Sequence, residues 1–208
     1  QVVTMAKQVP VLINYSIGKA KYEKLPDAGD FKLFESIAKA NNQSWFPMNE
    51  LPIGFNTEQP KRSHGIMRIH QFYSDRNLKV LALFWKKVVE SKIDVSTRAA
   101  LKSLATGVIL GVSKLQRFRL FSTFPNMILS GTLYVGSTIR EWNPLDWISG
   151  KYTSFSRMKK KINIFGGGNS VAISTNSATD ITIPNSTIDY IFTDPPFGDN
   201  LNYSELNF

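Results

Sequence analysis

The chain has 208 residues, with 25 Lys and Arg against 16 Asp and Glu, a formal charge of +9, and 42% apolar residues including four Trp and fourteen Phe. That content supports a packed core and excludes a disordered polyelectrolyte. The lack of Cys excludes disulfides and cysteine-held zinc within these residues. No apolar run approaches the roughly 20 residues of a membrane span. The opening Gln-Val-Val-Thr is not a secretory signal, so a cytoplasmic location is expected. The chain does not begin with Met, which suggests a piece of a longer protein.

In chain order, Val9 to Ile17 reads as a strand. A helix follows from Asp30 as N-cap, with Phe31, Phe34, Ile37 and Ala38 on one face. Residues 41–65 are punctuated by Pro47, Pro52, Gly54, Pro60 and Gly65 and read as loop. Ser74 caps the clearest helix, in which Leu78, Leu81, Trp85, Val88 and Val89 recur at helical spacing. Another helix is expected from about Thr97 to Val112, with Leu101, Leu104, Ala105, Val108 and Ile109 inward. Thr132 to Ser137 reads as a strand, and Trp142 to Lys161 as a mixed segment. These apolar stripes are core, not site.

Charge divides the chain near Ile162. Residues 1–161 hold all 25 basic residues and 11 acids, a net +14. Residues 162–208 hold five acids (Asp180, Asp189, Asp194, Asp199, Glu205) and no base. The basic part suits a nucleic-acid backbone, where protein cations replace condensed counterions. The clusters Lys114-Arg117-Arg119 and Arg157-Lys159-Lys160-Lys161 are its candidates, although single lysines are ordinarily solvated helix charge. Tyr73, Arg76 and Asn77 stand at a helix start where phosphate or base contact is chemically feasible, but capping and packing are the commoner roles. His64 and His70 have no cysteine or carboxylate companions in a metal-ligand pattern, so no metal is expected.

The most informative stretch is Tyr190-Ile191-Phe192-Thr193-Asp194-Pro195-Pro196-Phe197. Ile188 and Tyr190 to Phe192 read as a buried strand, and two prolines end it because proline cannot donate to a sheet ladder. An acid follows at the carboxyl edge, where open α/β folds place ligands. The exocyclic amine of adenine or cytosine is a poor nucleophile, its lone pair delocalised into the ring. A carboxylate (Asp194) and a rigid carbonyl (Pro195) accepting its two hydrogens favour a more tetrahedral nitrogen as the transition state forms. Phe197 offers a face for stacking a flipped base. An Asp-Pro-Pro turn of no chemical consequence is the alternative reading of the same residues.

The run Ile183-Pro184-Asn185-Ser186-Thr187-Ile188-Asp189-Tyr190-Ile191-Phe192-Thr193-Asp194-Pro195-Pro196-Phe197 resembles the amino-methyltransferase pattern LP-x-x-S-[VI]-D-x-[IV]-x-T-D-P-P-[YF]. Its continuation from Gly198 to Phe208 resembles the large zinc-ribbon-associated, adenine-specific DNA methylases. So do His70 to Leu78 (H-x-F-Y-T-x-R-N-L), Ser130 to Val135 (SGTLY) and the stretch from Val9-Pro10 to Tyr22-Glu23-Lys24. The resemblance spans nearly the whole chain in order, and Phe197 stands where Tyr is commoner.

It implies a partial Rossmann-like α/β sheet (162–208) that uses S-adenosylmethionine, joined to an inserted, basic, mainly helical region (1–161) contacting DNA. It also implies catalytic roles for Asp194, Pro195, Pro196 and Phe197. By position, Val171 to Thr175 is the preceding strand, and Ser177, Ala178, Thr179 and Asp180 border the cofactor. Gly166-Gly167-Gly168 is too close to Asp194 to be the Gly-rich cofactor turn, since βαβα units need more chain. In the resembled proteins that motif and the zinc ribbon would precede Gln1, so these residues alone are expected to be inactive. RNA or protein-glutamine methylation uses the same motif chemistry, and a non-catalytic nucleic-acid-binding module is a further alternative. The resemblance implies an exocyclic amine acceptor, adenine N6 ahead of cytosine N4, and leaves a restriction-system partner open.

Overall fold

The computed structural model describes residues 5–41, 44–119, 128–165 (backbone only for 162–165), 173–177, 179–195, 198 and 203–206. Two strands open it, β1 (Ile13–Ile17) and β2 (Ala20–Lys24), paired antiparallel with Tyr15 opposite Tyr22. The two-residue turn Gly18-Lys19 joins them, and Gly18 adopts the left-handed φ of 60° that such turns require. The two tyrosine rings stack at 5.5 Å on an otherwise exposed ribbon. This is the sole sheet among the described residues, so the strand expected over Val9 to Ile17 covers only its second half, and its partner follows directly.

Helix α1 (Ala28–Lys39) is capped by Asp27, not Asp30. Asp30 is the reciprocal member of a capping box, and its carboxylate accepts from the Asp27 amide at 2.9 Å. The region read as loop contains α2 (Phe55–His64), which accommodates Pro60 in its interior and ends on Gly65 at φ 64°. After a 3₁₀ turn at Ile69–Phe72 comes α3 (Asp75–Glu90), capped by Ser74 as expected. Its buried residues are Asn77, Ala82 and Val88, while Val89 is exposed.

Helix α4 (Val95–Ile109) is capped by Asp94 and runs into a 3₁₀ turn, with Leu104, Ala105 and Val108 buried. Among the described residues, Val95–Val112 is one stretch long and apolar enough to cross a membrane by length and composition. In this fold it packs between α3 and α5. The mixed segment after Trp142 is in fact one helix, α5 (Pro144–Phe165). Pro144 suits a first helical position, and the Asn143 side chain accepts from the Leu145 amide at 3.0 Å. The helix runs straight through the charge boundary at 161/162. A single turn, α6 (Tyr203–Leu206), follows in the tail.

The main core cluster is Leu51, Ile66, Phe72, Leu115 and Val135, flanked by Ile69, Tyr73, Ile128, Leu133 and Ile139. A second contact zone joins α3, α4 and α5. There a Cβ on Gly111 would lie 2.3 Å from the Trp147 ring, so a hydrogen at that position lets the indole lie against the backbone. Asn77, 2% exposed, donates from Nδ2 to Val112 O at 2.9 Å and Trp142 O at 3.1 Å, stapling three helix ends together.

Thr132 to Ser137 is not a strand. At Val135 the Gln59 side chain supplies what a neighbouring strand would. Its Nε2 donates to Val135 O at 2.9 Å, and its Oε1 accepts from Val135 N at 3.0 Å. Both backbone groups are satisfied without a ladder.

Candidate functional site

The stretch expected to carry the chemistry differs from its expected local form. Ile188 to Phe192 forms no strand, and its side chains face solvent, with Tyr190, Ile191 and Phe192 at 81%, 74% and 79% exposure. A strand needs a neighbour for its backbone groups, and no described segment lies alongside. Val171 to Thr175 is likewise not a strand over its described residues 173–175. Just upstream, Pro184 to Thr187 turns, with Ser186 in the left-handed region and Thr187 Oγ1 donating to Pro184 O at 2.7 Å.

Asp194 and Pro195 are exposed, and no described residue pairs with the Asp194 carboxylate. Pro196 and Phe197 lie outside the described residues, as do Ala178 and Gly166-Gly167-Gly168. Of the cofactor candidates, Ser177, Thr179 and Asp180 share one exposed turn. The Ser177 and Thr179 hydroxyls are 2.8 Å apart, and the Asp180 amide donates to Ser177 O at 3.1 Å. The structure therefore brings the two groups of candidates together only as successive pieces of one open segment.

Among the basic candidates the structure discriminates sharply. Lys114, expected on a phosphate-binding surface, is 7% exposed and donates from Nζ to Gln71 O at 2.8 Å. Burial lowers its pKa, partly opposed by Asp75 and Glu141. It is an interior strut, unavailable to a phosphate. Arg157, Lys159, Lys160 and Lys161 instead stand exposed on the last turns of α5. Lys151 precedes them, and no acid interrupts the run from Lys151 to Lys161. Five exposed basic residues and no acid thus fall within eleven positions.

Tyr73, Arg76 and Asn77 are held by the fold. Burial pushes the Tyr73 hydroxyl up to about 12. The Arg76 guanidinium reaches Glu141 Oε2 at 2.8 Å and lies 4.3 Å over the Phe34 ring. His64 Nδ1 sits 2.7 Å from Ser63 Oγ. His70 packs on Phe46 at 5.4 Å, and its pKa is lowered by burial, then by Arg68 and Lys114. An open cleft of about 470 Å³ borders His70, Phe46, Asp75 and Lys79. Lys79 is already engaged there, donating to the last carbonyls of α1, Ile37 O and Ala38 O.

One residue of the tail that sequence reasoning passed over is tied to the helical body. The Glu205 carboxylate accepts from the first amides of α2, Phe55 N at 3.1 Å and Asn56 N at 2.6 Å. Gly54, at the N-cap, has no side chain with which to do this. The only sequence signal was negative: a helix start without Ser, Thr, Asp or Asn.

Compared with protein-family models, curated proteins and solved structures, the chain matches none.

Proposed function

We propose that this chain is part of an S-adenosylmethionine-dependent DNA methyltransferase that modifies an exocyclic amine, adenine N6 ahead of cytosine N4. The run from Ile183 to Phe197, with its Thr-Asp-Pro-Pro-Phe end, carries this reading. The Asp194 carboxylate and Pro195 carbonyl accept the two amine hydrogens, and Phe197 stacks on the extruded base. The methyl group passes from the sulfonium sulfur to the amine nitrogen by in-line displacement: the N–C bond forms as the S–C bond breaks. The sulfur departs as a neutral thioether, the methylated nitrogen releases one proton to solvent, and holding the two reactants together supplies much of the acceleration.

Two features support it. Asp194 is exposed and unpaired among the described residues, so its lone pairs are open to an amine. Ile188, Tyr190, Ile191 and Phe192 leave a strand-like apolar run in water, as expected of a segment whose Rossmann-like sheet needs further strands. The cations at the end of α5 are the DNA-backbone contact in this scheme. They equally favour a second reading, a nucleic-acid-binding module without catalysis.

Methyl incorporation from labelled S-adenosylmethionine into DNA, by the longer protein that the resemblance implies, tests the proposal. Asp194→Ala should abolish transfer while cofactor binding persists, and retained full activity would refute the role of Asp194. Salt-dependent binding that survives in a protein unable to bind cofactor would favour the module instead. Comparison of duplex DNA, RNA and peptide acceptors separates the substrate classes.

A further inference from the structure

Every described residue from 173 to 204 is exposed; Glu205 and Leu206 are the first in the tail to be partly buried, where α6 meets α2. We infer that Glu205 is a positioning residue, a carboxylate clip that seats the chain following Asp194 on the start of α2. It thereby restricts where Asp194 is held.

Three observations carry this. The bond is charge-assisted and double, with both carboxylate oxygens engaged by amides that have no partner within their own helix. The seat is also cut to fit: a Cβ at Gly54 would stand 2.2 Å from Glu205 Cδ. Gly54 has a φ of 172°, extended backbone open to any residue, so a side chain there would displace the Glu205 carboxylate rather than strain the backbone.

The third is reach. Asp194 lies 29 positions beyond Phe165, the end of α5, but only eleven before Glu205. Fully extended chain covers roughly 100 Å and 40 Å over those separations. The Glu205 tether is therefore the one that limits Asp194. Methyl transfer gives this position its importance, but the clip itself is independent of the reaction.

Because the chain has no Cys, spin labels at Arg62→Cys on α2 and Thr193→Cys beside Asp194 report the distance directly. In the full chain the distance distribution should be confined, with its upper edge set by the short tether. Glu205→Ala should broaden and lengthen it, and Gly54→Ala should do the same from the opposite partner. Glu205→Gln, which keeps a neutral acceptor, should restore part of the confinement. Exchange of the Phe55 and Asn56 amides should quicken about tenfold in Glu205→Ala, while α3 amides stay protected and so verify folding. A distribution unchanged in both Glu205→Ala and Gly54→Ala would overturn the inference. Absent methyl transfer by the longer protein, with these shifts intact, would defeat the proposed reaction and leave the clip standing.

Discussion

Ile66 and Ile191 are the same side chain in opposite circumstances, one 1% exposed and the other 74%. Ile66 lies between Leu51, Phe72, Leu115 and Val135, which four separate segments bring to one point. Ile191 belongs to an equally apolar run, yet nothing described covers it. Apolar content thus does not by itself produce burial; a second surface must exist for it to meet. The helical body contains its own second surfaces. Under the proposed function, the acidic tail obtains them from strands beyond those described.

The contrast can be broken most forcefully in the body. Ile66→Ala should cost about 2–5 kcal/mol in denaturant unfolding, because its well-packed neighbours cannot all collapse into the space. Asn77→Ala comes next, at about 2–3 kcal/mol, since Val112 O and Trp142 O lose a shared donor inside the protein. An unchanged midpoint in either variant would show that these buried contacts do not hold the body together.

Acid offers a milder lever. The His70 pKa is depressed in the folded state by burial and by Arg68 and Lys114. Below the ordinary value of 6.5 the unfolded chain then binds the proton more readily, so stability falls as pH drops from 6.5 through the lowered folded value. Unfolding curves between pH 7 and 5 should show that loss, and His70→Gln should flatten it. The smallest effect belongs to the tail. Ile191→Ala should stay within about 0.5 kcal/mol of the parent chain, as exposed substitutions do. A loss comparable to that of Ile66→Ala would mean that the tail is packed.

Legibility followed the same division. Helix α3 was readable because Ser74 and a 3.6-residue stripe agree, and both describe local chemistry. Helix α2 was not, because Pro60 and Gly54 look like loop residues and the acceptor that satisfies its first amides arrives from Glu205. The strand expected at Thr132 to Ser137 failed for a related reason: Gln59 gives Val135 its hydrogen bonds from a distant side chain. Within the candidate site, the identity of the groups, a carboxylate at Asp194 and a backbone carbonyl at Pro195, was legible. Spatial arrangement was not, since a motif states which atoms are present and leaves their neighbours to the rest of the fold. Lys114 shows the converse, a cation whose sequence context suggested solvent and whose Nζ holds an interior carbonyl.

The pairing of Gln59 with Val135 also has a consequence for how this region tolerates change in length. Segment 133–137 would be called a loop, where extra residues are ordinarily absorbed with ease. Here a single amide locks onto one residue's N–H and C=O, so inserting or deleting a residue just before Val135 presents the wrong partner to Gln59 and withdraws the valine from the core. Length is as tightly fixed there as in the middle of a pleated sheet.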